Sequence, residues 1–73
     1  MTELLDLTGL KCPMPALLTR RALARLPAGA ELDVVADDPM AAVDIPHMCH
    51  HEGYEVLSTI RDGDRTRFRM RKP

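Results

Sequence analysis

The chain has 73 residues, 45% of them hydrophobic and 29% charged, with a formal net charge of −1 at pH 7. That composition excludes a disordered segment, and the near-neutral balance excludes a general electrostatic pull on nucleic acid. One small domain over residues 1–73 is expected, with a core drawn from Leu, Val, Ala, Ile and Met because Tyr54 and Phe68 are the only aromatic residues.

Leu4, Leu5 and Leu7 around Asp6 predict a short first strand, ended by Thr8-Gly9. From Met14 to about Leu26 the pattern is helical. Leu18, Ala22 and Leu26 recur every four residues, Met14 and Leu23 widen the stripe, and Arg20, Arg21 and Arg25 lie toward solvent. Pro27-Ala28-Gly29 stops that helix. Leu32, Val34 and Ala36 then alternate with Glu31, Asp33 and Val35, as in a strand with one buried face. Asp37-Asp38-Pro39 has the form of a helix start, an aspartate cap with proline at the first helical position. The second helix is expected from about Met40 to Glu52, ending at Gly53, with Pro46 kinking or dividing it and Asp44-Ile45 restarting its second half. Tyr54 to Ile60 forms a third strand, Asp62-Gly63 a hairpin signal, and Arg65 to Arg71 the returning fourth strand. In that last strand Thr66, Phe68 and Met70 should face the helices, leaving Arg65, Arg67, Arg69 and Arg71 on the open face. The order βαβαββ predicts an α/β (α+β) two-layer sandwich, a four-stranded mixed sheet with two helices on one face.

Chemistry concentrates at Leu10-Lys11-Cys12-Pro13-Met14-Pro15. Pro13 pushes the residue before it out of the helical region, so Cys12 is expected at the N-cap, with Pro13 opening the helix. The amides of Met14 and Ala16 would then point toward the cysteine end. Beside Lys11 and the positive end of a helix dipole, a thiolate is favoured, and Cys12 is expected to be exposed and reactive.

With these residues in view, the chain resembles a known family, the small TusA-type (SirA-like) bacterial sulfur carriers. The resemblance rests on Gly9-Leu10-Lys11-Cys12-Pro13-Met14-Pro15, which carries a Cys-Pro-x-Pro signature, then Ala36-Asp37-Asp38-Pro39, Asp44-Ile45-Pro46, and Gly53 before the closing hairpin. It implies a fold like the C-terminal domain of translation initiation factor 3, with the fourth strand inside the sheet. It also implies that Cys12 accepts sulfane sulfur as a persulfide, from a cysteine desulfurase or a rhodanese-like donor, and relays it to a downstream acceptor protein. Lys11, Pro13 and Pro15 would support that site, and no bound cofactor is required. Wobble-position 2-thiouridine in tRNA is the destination for the best-known members. Other members serve sulfur oxidation, molybdenum-cofactor assembly or thiosulfate use.

The remaining features have plainer readings. Cys49 is expected to be a small apolar residue packed on the sheet, with a resolving thiol as the alternative. His47, His50 and His51 lack the spacing of a zinc site, although His47 and His51 share a helix face. The arginine comb is read as a solvated face paired with Glu31, Asp33 or Asp6, so direct nucleic-acid binding is not expected. Arg20 and Arg21 are candidates for steering an acidic partner; Asp37 and Asp38 are caps first and partner contacts second. No basic, apolar leader opens the chain and no run reaches membrane-span length, while two cysteines make no disulfide framework. A cytoplasmic monomer away from membranes is expected. Two other functions compete: a thiol–disulfide protein pairing Cys12 with Cys49, and a non-catalytic RNA-binding or regulatory module.

Overall fold

The computed structural model describes residues 2–73. Six elements follow in the expected order: β1 (Thr2–Asp6), α1 (Met14–Arg25), β2 (Glu31–Ala36), α2 (Ala41–Glu52), β3 (Glu55–Asp62) and β4 (Arg65–Arg71). The four strands form one mixed sheet in the order β1-β2-β4-β3. β1 runs parallel to β2, whereas β4 lies antiparallel to both β2 and β3. The last strand therefore occupies the interior of the sheet. β3 takes an edge, where it is exposed along its whole length and its register shifts between Val56 and Ser58.

Alternation decides which side of the sheet is buried. Leu32, Val34 and Ala36 of β2 and Phe68 and Met70 of β4 are almost wholly excluded from water, in one cluster with Leu23 of α1 and Ala41, Ile45 and Cys49 of α2. Both helices thus cover the same face. On the other face Arg67 and Arg69 converge on Asp33, with nitrogen–oxygen distances of 2.8 Å, while Arg71 pairs with Glu55 at 2.9 Å. Asp33 is only 3% exposed, and the Arg69 hydrogen bonds hold its carboxyl down at about 2 against the upward push of burial, with Arg67 adding to the effect.

Three local expectations change. The buried stripe of α1 is centred on Pro15, Thr19 and Leu23, and Met14 is exposed. Thr19 is tolerated at the core because its hydroxyl donates to the Pro15 carbonyl at 2.7 Å, leaving its methyl to pack. Pro46 does not divide α2, which runs unbroken from Ala41 to Glu52. The carbonyl that proline deprives of a partner belongs to Ala42, which is exposed, so water can satisfy it. Gly53 does end α2, at φ +82°, with its amide donating back to the last turn. In the β3–β4 hairpin the two loop residues are Gly63-Asp64, glycine first at φ +62°, as a type II′ turn requires, in place of an Asp-Gly pair.

Candidate functional site

The loop from Leu7 to Pro13 carries the motif cysteine, and it is held from a distance. Asp6 at the end of β1 accepts the amide and hydroxyl of Thr8 at 3.0 and 2.7 Å, turning the chain. The Asp37 carboxylate then accepts the Gly9 amide at 2.8 Å, and the Asp38 carboxylate accepts the Cys12 amide at 2.6 Å. These two aspartates follow directly on β2, so the sheet itself anchors the loop. The helix-cap reading of Asp37 and Asp38 is corrected: α2 begins after Met40 with no side-chain cap. Their acceptor oxygens serve the loop's otherwise unpaired amides.

Cys12 is likewise not the N-cap of α1. That position is Pro13, at φ −96° and ψ 10°, joined to Cys12 by a cis peptide bond, and Pro15 lies within the first turn. The Met14 amide is not free either; it donates to the Lys11 carbonyl at 2.9 Å, and Leu17 donates to Pro13 at 3.2 Å. The thiol sits in exposed surroundings and donates to the Asp44 carboxylate of α2 at 2.7 Å. That hydrogen bond is the main reason the Cys12 thiol is raised above its ordinary value, followed by desolvation and the negative charges of Asp44 and Asp38. The expected thiolate, favoured by Lys11 and a helix dipole, is therefore reversed. The exposed Lys11 forms no hydrogen bond with the sulfur, and carboxylates face it instead.

Beside the sulfur lies a groove of about 360 Å³ between the two helices, walled by Cys12, Pro13, Ala16 and Leu17 on one side and Asp44, His47 and Met48 on the other, with Arg20 at its margin. Arg20 and Leu17 also border a neighbouring hollow of about 510 Å³ that includes Arg21, Met14 and Tyr54. Arg20 reaches the far helix, 3.9 Å from Glu52. The structure thus gathers Cys12, Pro13, Asp38 and Arg20 at one place, sets Arg21 on the flank, and turns Asp37 toward Gly9. His47 joins the groove, while His50 and His51 are exposed at the end of α2. Among the described residues no three acidic, histidine or cysteine side chains are grouped as a metal site.

Asp44 is the residue that sequence reasoning missed. Its motif, Asp44-Ile45-Pro46, was legible, but an acid in a helix's first turn already has a local explanation in the dipole. Cys49 lies fully buried in the core, where burial pushes its thiol up to about 11. Both cysteines are free.

Comparison with known proteins gives consistent results. Residues 3–72 match the family described as Sulfurtransferase TusA. The sulfur carrier protein TusA of Pseudomonas putida strain F1 is 38% identical over 69 residues, covering 94% of this chain and 86% of that protein. The protein of the same name from strain GB-1 is 38% identical over 68 residues, covering 93% of this chain and 85% of its own length. The crystal structure of a SirA-like protein from Desulfitobacterium hafniense aligns with a TM-score of 0.83 over 94% of this chain and 95% of that one. At 24% identity that is a likeness of fold.

Proposed function

The chain belongs to the Sulfurtransferase TusA family, and from that membership we propose that it is a sulfur carrier that holds its cargo as a persulfide on Cys12. The observation that carries this reading is the presentation of one exposed thiol, on a loop clasped by Asp37 and Asp38, at the mouth of an apolar groove. A sulfur relay needs a nucleophile that a second protein can reach and that does not move when it is reached. Three backbone-directed carboxylate bonds supply the rigidity, and exposure supplies the access.

The partners that this role requires are a protein bearing a persulfide, such as a cysteine desulfurase or a rhodanese-like donor, and an acceptor protein. Leu17 is 45% exposed at the groove and Met14 is 42% exposed beside it, apolar surface that a docking protein would cover. Arg20 and Arg21 fringe that surface, which favours a partner with an acidic rim. The competing thiol–disulfide reading draws no support from Cys49, which is sealed in the core. The arginine comb of β4 is largely occupied with Asp33 and Glu55, which leaves little of it for nucleic acid.

Intact-mass spectrometry tests the reading. Incubation with a cysteine desulfurase and cysteine should add one sulfur atom to the wild type and to Cys49→Ser, none to Cys12→Ser, and dithiothreitol should remove it. No adduct with any donor, or an adduct that depends on Cys49, would overturn it.

A further inference from the structure

A carrier thiol that is held protonated is a poor nucleophile, because the thiolate is the attacking species. The geometry around Cys12 contains its own remedy. The sulfur donates to the Asp44 carboxylate at 2.7 Å, within the range over which a side chain takes a proton directly. Resting on the persulfide-carrier reading, we infer that Asp44 is the general base of sulfur loading: it takes the Cys12 proton as the sulfur attacks, and returns it to the departing thiolate.

The step balances without an external oxidant or reductant. A bond forms between Cys12 Sγ and the outer sulfur of the donor persulfide, and the donor's S–S bond breaks. Its electron pair leaves on the donor's inner sulfur. The proton passes from Cys12 to the Asp44 carboxylate and on to that leaving sulfur, so one persulfide and one thiol enter and one persulfide and one thiol emerge. Once loaded, Cys12 Sγ is bonded to the outer sulfur and no longer carries the S–H that tied it to Asp44, that proton having left on the donor thiol. A persulfide anion there meets the carboxylates of Asp44 and Asp38, and their repulsion favours passing the sulfur outward.

Other charged groups near the pair do not fill this role. Asp38 is committed to the Cys12 amide, Arg20 of α1 carries no basic lone pair, and the exposed Lys11 forms no hydrogen bond with the sulfur. His47, one turn beyond Asp44 on α2, is the one alternative proton acceptor lining the groove. The same hydrogen bond raises the Cys12 thiol above its ordinary value, so an empty carrier resists adventitious electrophiles until a persulfide is delivered.

Asp44→Asn separates base from bystander, since the amide keeps the shape and loses the charge. Loading is followed by rapid quench and mass spectrometry with glutathione persulfide as donor, alongside iodoacetamide alkylation of Cys12 as a function of pH. In the variant, the midpoint for alkylation should fall toward the ordinary cysteine value of about 8.5, while loading near neutral pH should slow by roughly a hundredfold. Opposite movement of the two reactions is the signature of a lost base. Wild-type loading should change less than about threefold between pH ~6 and ~8, whereas the variant's should climb about tenfold per pH unit as thiolate forms. Continued protection of Cys49 from alkylation reports that the variant is folded. Equal loading rates and parallel profiles in the two proteins would overturn the inference while leaving the carrier reading intact. Loading that stays fast in Asp44→Asn but is lost in His47→Asn would also overturn it, by assigning the proton to His47. A wild type that takes no sulfur would remove the carrier reading and this inference together.

Discussion

Iodoacetamide offered to the native protein meets two thiols in opposite surroundings. Cys12 stands in solvent at the groove, while Cys49 is packed out of reach between α2 and the sheet and raised to about 11 by that burial. Alkylation of the native protein should therefore give a single adduct, at Cys12, with a second appearing only on denaturation. Peptide mapping checks this, and a native adduct at Cys49 formed at a similar rate would contradict it. At this scale the sequence was partly legible. The exposure of Cys12 and the packing role of Cys49 followed from their neighbours. The electrostatics of Cys12 did not, because the groups that govern it are Asp38 and Asp44, which are 26 and 32 positions away along the chain. Asp37 and Asp38 were misread for the same reason: an aspartate before Pro39 satisfies a local rule, and its true partners lie in another loop.

Helices and strands were far easier to read, since periodicity is a local property. Each element falls within about two residues of its expected limits, and Phe68 and Met70 face the helices as alternation requires. The rotation of α1 was not legible, because a threonine at its buried centre looks polar until its hydroxyl is seen bonded to Pro15 within the same helix. The contact that closes the end of α1 was not legible either. Lys72, just past β4, sends its ammonium to the carbonyls of Ala24 and Leu26 at 3.1 and 2.9 Å, closing a helix end that has no glycine cap of its own. Lys72→Met keeps the aliphatic stem and removes the donor. It should cost about 0.5–1 kcal/mol, read as a lower urea midpoint, with sulfur loading unchanged. An unaltered midpoint would show that water caps those carbonyls equally well.

For the molecule as a whole, the open face of the sheet sets the response to acid. Asp33 titrates at about 2 when folded and near 3.9 when unfolded, so folding favours its charged form. Its contribution is complete above about pH 5 and is lost as the pH falls through about 2. Asp33→Asn should cost about 1–2 kcal/mol at neutral pH, and urea midpoints of variant and wild type should converge at about pH 2. A gap that is constant with pH would assign the loss to packing. The same sheet also constrains how the protein is made. β4 is translated after the other three strands yet must lie between β2 and β3, bonded to both. A nascent chain on the ribosome thus holds β2 and β3 with no bridge between them, and Phe68 and Met70, which close the core, arrive last. Cys12 leaves the tunnel early and stays on an unanchored loop through most of synthesis. Its carboxylate surroundings assemble only when the final strand locks the sheet, so the thiol is less shielded in the newborn polypeptide than in the finished fold.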